Sequence, residues 1–546
     1  MKQFFSRAVC LLLAAVLCFL TGCSRGREDT GAGYLFTVTL PDDPGCLDPQ
    51  FTEDPEALML LTNMTEGLLR LDADGTLVLG EAESYTVSDD GLVYTFTLRD
   101  DCCWFAKGMD VDRPMRVTAR DYVFAFRRLV DPAMRSPYAE RFLSLHNAKA
   151  IHEGRMDAQK LGVSAPDAVT VVIELDYRDP ELPLLLAQTY AAPCNEEFFR
   201  ETNGRYGLDE DTVLCNGPFY LSQWAYDAYS SGNFLTFRKN RLYHDIDNVY
   251  PSSLRYNIQH TRAQAEQDFA DGTADILMTD HYPKAYLDDK RYEVQAIRGE
   301  TLGLIFNFED TNLQNAALRE ALAAGIDRSA LAPLLTEDVE IASGVIPPSI
   351  RLLGRSYREL CADEPLADPY DPVHAAQLFD TAAAELELNT MNTMQIMVSS
   401  SIADTDALLA ICHEWQQIFG YYIGIETVSP DEYDRRLAAG EYALALYAVR
   451  PTRESCLGAL EAYDSDGRYL GITSEELRAL TNQLRTAPDA AASVALYGDA
   501  ERALLSAHRF IPLFYKNSYL VTTSGNTDIA FHAAPLSADL RPAKHF

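Results

Sequence analysis

Near its start, the chain contains one uninterrupted run of apolar residues. Lys2 and Arg7 precede an uncharged apolar segment over residues 8–20. A membrane-spanning helix needs about 20 apolar residues, whereas the apolar core of a secretory signal peptide is shorter. The pattern therefore predicts a signal peptide over residues 1–22 and a body that works outside the cytoplasmic membrane.

The first half of the body alternates between short strand patterns, turns and helical stripes. Tyr34 to Leu40 predicts a strand, and Met59 to Leu69 predicts a helix. Asp74-Gly75 between apolar flanks predicts a hairpin. Residues 92–98 place their apolar side chains on one face of a strand, and Thr118 can cap the helix that follows. Hairpins and helices are thus mixed in this half of the chain.

The second half repeats strand and helix patterns in alternation. Strand patterns over Met394–Val398, Tyr422–Val428 and Tyr442–Tyr447 are separated by helical patterns over residues 408–419 and 432–439. Such alternation is typical of sheets covered by helices. The pattern therefore predicts an α/β fold.

Composition narrows the class of protein. The chain has 546 residues, of which 47% are hydrophobic and 10% aromatic, as expected for a large, well-packed globular protein. It carries 81 acidic and 46 basic residues, for a formal net charge of −35. A polyanion repels nucleic acid, so we expect no nucleic-acid partner.

Motifs for catalysis, nucleotides and metals are missing from the sequence. There is no G-x-S-x-G, no phosphate loop, no H-E-x-x-H and no dinucleotide glycine fingerprint. The ten histidines show no metal-binding spacing, and the cysteines form no C-x-x-C pair. We therefore expect neither an enzyme nor a protein that holds a metal or another cofactor.

A cysteine follows directly on the apolar leader. Leu20-Thr21-Gly22-Cys23 resembles the lipobox of bacterial lipoproteins. The resemblance implies that Cys23 becomes the lipid-bearing N-terminus and that residues 23–33 form a tether to the membrane. The alternative is an ordinary signal peptide in which the cysteine is incidental.

A series of further motifs resembles the extracellular solute-binding proteins of family 5, the peptide/nickel/opine class, which feed ATP-driven importers. Asp131-Pro132, Ser136-Pro137-Tyr138 and Leu161-Gly162-Val163 narrow the resemblance to the oligopeptide-binding branch. The other motifs are Glu66-Gly67-Leu68, Val87-Ser88-Asp89-Asp90-Gly91-Leu92, Tyr94 to Arg99, Val117 to Phe124, Asn216 to Leu221, Leu318 to Leu322, Ile326-Asp327-Arg328 and Ile511 to Tyr515.

The resemblance implies a two-lobed periplasmic-binding-protein-like fold of class II type, cluster C, with an extra inserted domain. Lobe 1 would comprise residues 34–70, 194–298 and 510–546, the inserted domain residues 71–193, and lobe 2 residues 299–509. It implies a monomer that binds a peptide-like solute between the lobes and meets the permease subunits of an ABC importer. No cofactor is implied.

The resemblance also implies which residues face the ligand, although aromatic residues on these strands serve as core at least as often. The implied ligand-binding residues are Glu53, Asp54, Tyr138, Asp280, His281, Tyr447, Ala448, Arg450, Phe514 and Tyr515.

The chain departs from its relatives after residue 447. Oligopeptide binders place an aspartate there that receives the ligand's α-ammonium, but this chain has Thr452 or Arg450, depending on the alignment. Either Glu454 is turned inward to replace it, or the ligand lacks an ordinary free amine. Arg450 and Arg453 fit two roles equally well, as a clamp for a carboxylate or as surface residues.

Two functions from different classes fit this resemblance. The first is a lipid-anchored binding protein that delivers a peptide-like solute to a membrane permease. The second is a surface lipoprotein that senses peptides and signals through a membrane partner. A surface hydrolase would need a catalytic constellation that the sequence does not contain.

Overall fold

We describe the protein from a computed structural model. The structure describes residues 33–546 except 74, 228, 230–231, 338, 353–354, 362–367, 387–393, 401–404, 466–469, 471–474 and 485–489. The predicted signal peptide, Cys23 and nearly all of the predicted tether lie outside the described residues.

The strands of the described chain vary from short bridges to runs of more than ten residues. In chain order they are β1 Leu35–Leu40, β2 Leu69–Leu71, β3 Leu77–Leu79, β4 Ala82–Val87, β5 Val93–Leu98, β6 Cys103–Trp104, β7 Met115–Arg116, β8 Val163–Ser164, β9 Thr170–Glu174, β10 Phe219–Ala225, β11 Phe234–Lys239, β12 Ser253–Ile258, β13 Ile276–Thr279, β14 Tyr292–Phe306, β15 Val339–Ile341, β16 Arg351–Leu352, β17 Arg355–Ser356, β18 Gln395–Ser399, β19 Gly424–Val428, β20 Leu444–Val449, β21 Phe510–Thr523, β22 Asn526–Thr527, β23 Ala530–Ala533, β24 Leu536–Asp539 and β25 Lys544–His545.

Helices cover the sheets. In chain order they are α1 Pro55–Met64, α2 Ala119–Val130, α3 Ala148–His152, α4 Leu182–Leu185, α5 Glu196–Glu201, α6 Arg262–Ala270, α7 Lys284–Leu287, α8 Ala316–Ala324, α9 Arg328–Leu331, α10 Tyr357–Leu360, α11 Pro372–Glu385, α12 Asp406–Phe419, α13 Pro430–Ala439, α14 Cys456–Ser465, α15 Glu475–Leu484 and α16 Ala490–Leu505.

Eleven strands of the described chain form one sheet. Its order is β10-β11-β12-β1-β13-β21-β14-β20-β18-β19, and β15 pairs with β21. We call the part of the sheet on the β1 side lobe 1 and the part on the β20 side lobe 2, after the domain limits that the family resemblance predicts. The long antiparallel pair of β14 and β21 lies between them and carries the chain from one lobe to the other.

The crossing pair has an irregular register at the change of lobe. Ile297 lies opposite Ser518, and the next paired residues are Glu300 and Lys516, so the ladder shifts between them. Such an irregularity bends a strand and strengthens its twist. The domain limits implied by the family resemblance place the same boundary at residue 299, and those limits stay a prediction.

Each region has its own buried core. The cluster of lobe 1 runs from Tyr34 to Ala543, with contributions from β1, α1, β10 to β13 and the end of the chain. The inserted domain packs a separate cluster between residues 68 and 214. In lobe 2, Leu304 and Phe306 point to one face of β14 and Ile305 to the other, and both faces are covered. A strand buried on both faces reads as a continuous apolar run, as this one does.

Several local predictions are confirmed by the structure. Tyr94 and Phe96 are buried on one face of β5, and the turn before it uses Gly91 at φ 71°. Thr118 precedes α2, and Asp121 accepts hydrogen bonds from its N–H at 2.7 Å and its hydroxyl at 3.0 Å. These contacts satisfy donors at the start of the helix.

The helix predicted over Met59 to Leu69 is wrong at both ends. It begins at Pro55, because Asp54 accepts a hydrogen bond from the N–H of Ala57 at 3.1 Å and caps the helix. It ends at Met64, and Leu69 already belongs to β2. The apolar residues beyond Met64 are buried in the inserted domain instead of continuing the stripe of the helix.

Neither a membrane-spanning helix nor a disulfide is present in the described part of the chain. None of its helices combines the length and apolar character needed to cross a bilayer. The cysteines that it contains, from Cys46 to Cys456, are present as free thiols.

A buried carboxyl group makes the stability of the inserted domain depend on pH. Glu81 is buried and accepts a hydrogen bond from the hydroxyl of Tyr122 at 2.7 Å. Burial raises the pKa of Glu81 to about 8. A raised pKa in the folded state means that stability is fully present below the pKa of the unfolded chain and is lost as pH rises through the folded value.

We expect Glu81→Gln to remove this dependence, because glutamine is neutral at every pH and similar in size. Between about pH 5 and about pH 8, the wild type should lose up to about 1.4 kcal/mol of unfolding free energy per pH unit relative to the variant. Calorimetric melting of both proteins across this range measures the difference. Parallel melting curves at all pH values would contradict a protonated Glu81.

Candidate functional site

The crossing strands place charged side chains between the lobes. Glu300 on β14 is the register partner of Lys516 on β21, and both side chains are buried. Arg450 directly follows β20, the strand next to β14 on the lobe 2 side. A buried charge is costly unless it is paired, so this arrangement requires internal partners.

Arg450 provides the partner for Glu300. Its Nε donates to Oε1 of Glu300 at 2.6 Å, and its Nη2 donates to the same oxygen. The hydroxyl of Ser518 lies 3.4 Å from that oxygen. The carboxylate is nearly inaccessible, with 5% of its side chain exposed, whereas 47% of the Arg450 side chain is exposed. The charge of Glu300 raises the pKa of Arg450. The guanidinium of Arg450 is therefore fixed on Glu300, while nearly half of the side chain remains exposed to solvent.

A second ion pair lies beside the first. Nζ of Lys516 is 3.5 Å from Oδ2 of Asp280, which follows β13 in lobe 1. Burial alone would raise the pKa of Asp280, but Lys516, His281 and Arg450 hold it below its usual value. Burial lowers the pKa of His281, which also contacts Arg262. Asp280 thus stays ionised in the field of cations from both lobes.

The start of α1 supplies a third group of polar side chains. Asp54 caps the helix, and Glu56 follows in its first turn. Burial, followed by a hydrogen bond with Asp54, raises the pKa of Glu56 to about 7. Glu56 and Asp280 both contribute to the raised pKa of Arg450, so acids of lobe 1 approach the arginine of lobe 2. Glu53 and Asp54 also line a surface recess together with Arg135.

Three of the aromatic residues implied by the family resemblance are buried in packing roles. Tyr138 donates to the carbonyl of Thr52 and stacks on Tyr190 with ring centroids 4.3 Å apart. The hydroxyl of Tyr515 donates to the carbonyl of Gly344 at 3.0 Å and accepts from its N–H at 3.0 Å. Phe514 belongs to the core of lobe 2. All three side chains are therefore buried in the protein interior.

Tyr447 and Ala448 are adjacent residues of β20. They are the register partners of Gly303 and Leu302 on β14. Both are partly buried and pack against the clusters on the two faces of lobe 2. They lie two or three residues before Arg450, on the strand that positions it.

The residues after Arg450 have internal partners. Thr452 donates its hydroxyl to the carbonyl of Gly458 at 3.1 Å. Arg453 is buried, with 1% of its side chain exposed, and binds the carboxylates of Glu181 and Glu461. The interpretation of Arg453 as a surface residue is therefore wrong, and its guanidinium is already clamped on acids of the chain itself.

Glu454 is turned towards the end of the chain. Its Oε1 accepts a hydrogen bond from the N–H of Ala533 at 2.8 Å and lies 3.7 Å from Nδ1 of His532. Burial alone would raise the pKa of Glu454, but His532 and the backbone N–H groups lower it. Glu454 thus has partners in β23, away from the ion pairs at Arg450.

Sequence reasoning missed Glu300 and Glu56. Glu300 stands beside Gly299 within the apolar second half of β14, and a lone charge in an apolar strand is a signal that could have identified it. Glu56 carries no comparable signal, because acids are common in the first turn of a helix. In the described residues, no group of three or more histidine, cysteine, aspartate or glutamate side chains is placed to hold a metal ion.

Comparison with known proteins gives a family match over most of the chain. Residues 76–467 match the model of the bacterial extracellular solute-binding proteins, family 5 middle region. The chain is 24% identical over 506 residues to the oligopeptide-binding protein OppA of Bacillus subtilis, covering 90% of this chain and 89% of that protein. It is 25% identical over 491 residues to the probable deoxycholate-binding periplasmic protein YgiS of Escherichia coli, covering 88% of each.

A solved structure has the same overall fold. The substrate-binding domain of an oligopeptide ABC transporter from Bacillus anthracis superimposes with a TM-score of 0.76 at 24% identity. The superposition covers 94% of this chain and 99% of that one. The two-lobed α/β fold expected from the sequence is thereby confirmed.

The pairing of Arg450 with Glu300 can be tested by its effect on stability. Arg450→Met should destabilise the protein by about 1–3 kcal/mol, because it leaves a buried carboxylate without its main partner. The loss should grow as pH rises, because an unpaired buried carboxyl group binds its proton more tightly. Chemical unfolding at low and at neutral pH measures both effects.

The double variant Arg450→Met/Glu300→Gln provides the control. It removes the stranded charge, so it should regain most of the stability lost in the single variant. If the double variant loses as much stability as Arg450→Met and Glu300→Gln lose together, the two residues do not interact.

Proposed function

This chain belongs to the bacterial extracellular solute-binding proteins of family 5, and from that premise we propose that it captures a peptide-like solute between its lobes and delivers it to the permease of an ABC importer. The family consists of transport proteins rather than enzymes. Relatives that match along almost the whole chain are named for oligopeptide and dipeptide binding. These names and the location of Arg450 between the lobes support the proposal.

The charged groups at the crossing strands are the observation that supports solute capture between the lobes most directly. Arg450 from lobe 2 and Asp280, His281, Glu53 and Asp54 from lobe 1 would contact the ligand, with Tyr447 and Ala448 forming the wall beside it. The groups come from both lobes, so a bound solute would hold the lobes together. Tyr138, Phe514 and Tyr515 would act indirectly, by fixing the backbone behind these residues.

The ligand's amino terminus would not be recognised as it is in oligopeptide binders. Arg450 occupies the position of the missing acid or lies two residues before it. The hydroxyl of Thr452 donates to the carbonyl of Gly458, and Glu454 accepts a hydrogen bond from the N–H of Ala533. Arg450 uses Nε and Nη2 on Glu300, which leaves Nη1 to donate to a ligand. We infer that the cleft favours a carboxylate or a neutral group at this point over a free α-ammonium.

The match to YgiS bears on the chemical class of the solute. That protein is named as a probable deoxycholate-binding protein, and the sequence identity to it is similar to that with OppA. Deoxycholate carries a carboxylate and no ammonium. A carboxylate contact at Arg450 would suit such an acid as well as a peptide with a blocked amino terminus.

Ligand identification is the first experiment. Mass spectrometry of solute released from the purified, denatured protein should identify a peptide or peptide-like molecule. Calorimetry then compares the identified peptide with free and N-acetylated amino termini. We expect the two affinities to agree within about threefold, whereas a binder that relies on a buried charge-assisted hydrogen bond would lose roughly ten- to a hundredfold on acetylation.

Arg450→Ala is the matched variant for this comparison, and it should weaken acidic ligands more than neutral ones. A strong preference for the free amine that Glu454→Gln abolishes would contradict the proposal. Enzymatic turnover of the released solute would contradict the transport role.

The membrane anchor is proposed separately, because it depends on residues 20–23. We propose that Cys23 is lipidated and holds the protein at the outer face of the cytoplasmic membrane. Cys23→Ser should release the body from membranes or leave the precursor unprocessed, because serine cannot form the thioether. Membrane fractionation and mass spectrometry of the mature N-terminus measure the result. A serine variant that is processed and anchored like the wild type would contradict the lipobox.

A sensory role remains a second candidate for the same fold. One structural relative is the pheromone receptor PrgZ, described with its mode of peptide binding, at 24% identity and a TM-score of 0.77. A transporter subunit requires a permease and an ATPase for its effect on cells, and deleting it should abolish uptake of the released solute. Unchanged uptake together with a lost transcriptional response would favour the sensory role.

A further inference from the structure

Consecutive residues of lobe 2 reach across to lobe 1 outside the charged centre of the cleft. Arg453, Glu454 and Ser455 lie in the loop between β20 and α14. Arg453 and Ser455 bind Glu181 of the inserted domain, and Glu454 binds the backbone of Ala533. The residues of each contact are at least 79 positions apart in the sequence.

The contact at Glu181 combines an ion pair with a helix terminus. Oε2 of Glu181 accepts from Nε of Arg453 at 3.0 Å and from the hydroxyl of Ser455 at 2.6 Å. Ser455 in turn accepts a hydrogen bond from the N–H of Gly458 at 2.9 Å, so it caps α14. The carboxylate therefore lies at the positive end of a helix dipole as well as beside a guanidinium.

The position of Glu181 is fixed by its own domain. It directly precedes α4, whose Leu182 and Leu185 are buried in the core of the inserted domain. Its side chain is 15% exposed where it meets Arg453. The inserted domain thus presents a rigidly mounted carboxylate to lobe 2.

Separation of the lobes would not leave Arg453 without a partner. Its guanidinium also binds Glu461, which lies on α14 in the same lobe. Burial alone would lower the pKa of Arg453, but Glu461 and Glu181 raise it. When the lobes part, Arg453 keeps Glu461 and Glu181 gains water. Breaking this contact is therefore less costly than breaking a pair that strands a buried charge.

We propose that Glu181, Arg453 and Ser455, together with Glu454 and Ala533, form a clasp that stabilises the closed arrangement of the lobes. Glu181 is then a positioning residue that governs how long the cleft stays shut, although it does not touch the ligand. Through Glu181, the inserted domain contributes to ligand binding by holding the cleft closed. This inference rests on the proposed function for its purpose, but the contacts themselves involve no ligand.

The clasp also affects the chemistry of the cleft. Arg453 lies three residues after Arg450 in the same loop, so anchoring the loop at Glu181 fixes the base from which Arg450 extends. Opening the clasp frees this loop on one side, while Glu300 still holds the guanidinium of Arg450.

The test uses the full chain freed of bound solute by unfolding, dialysis and refolding. Small-angle scattering of this protein should contain a compact population, because the clasp favours closure without ligand. Glu181→Ala should shift the profile towards a more extended form and lower the ratio of closed to open molecules about tenfold, which corresponds to about 1.4 kcal/mol. Thermal melting checks that the variant remains folded, as expected from the retained pairing of Arg453 with Glu461.

Matched variants separate the clasp from general damage. Ser455→Thr keeps the hydroxyl and should scatter like the wild type, whereas Ser455→Ala should resemble Glu181→Ala. Glu432→Gln removes an ion pair with Arg435 that lies wholly within α13 and should leave the profile unchanged. Superimposable profiles of the ligand-free wild type and Glu181→Ala would overturn the clasp. That result is independent of whether any solute binds, so it differs from a failure of the proposed function.

Discussion

The antiparallel pair of β14 and β21 is the constraint on which the rest of the molecule depends. These strands pass through the boundary of the lobes with their backbone groups paired to each other, so the sheet continues from lobe 1 into lobe 2. Backbone pairing keeps the crossing satisfied while the irregular register near Gly299 supplies a bend. The pairing of the two strands is interrupted only between Ile297 and Glu300 and again between Leu302 and Gly303.

The same constraint determines which charges the cleft can hold. From Gly299 onward the side chains of β14 are buried, so the carboxylate of Glu300 must be neutralised by the protein. Arg450 meets that need from one lobe, while Lys516 pairs with Asp280 of the other. These two ion pairs together carry two negative and two positive charges. Of the pair between Arg450 and Glu300, the arginine side chain is the part that solvent can reach.

Local structure could be predicted from the sequence, because its causes lie within a few residues. The alternation in β5 and the cap at Thr118 are examples, and the fold class follows from the repeat of strands and helices. The predicted end of the first helix is wrong, because the apolar residues after Met64 are buried in the core of the inserted domain.

The contacts at the candidate site are long-range, so a local sequence pattern does not predict them. Tyr138 and Tyr515 are buried by neighbours that periodicity cannot identify, and Tyr515 lies 171 residues from Gly344, its hydrogen-bond partner. The pairing of Arg453 with Glu181 spans 272 residues. A basic loop in the sequence is therefore ambiguous, and only the folded chain shows that one arginine is buried in its ion pairs while the other keeps nearly half of its side chain exposed. Arg450 and Arg453 differ in this way although they are three residues apart. Since one loop carries both, the ion pair of Arg450 with Glu300 and that of Arg453 with Glu181 fix the same segment of the chain at two points.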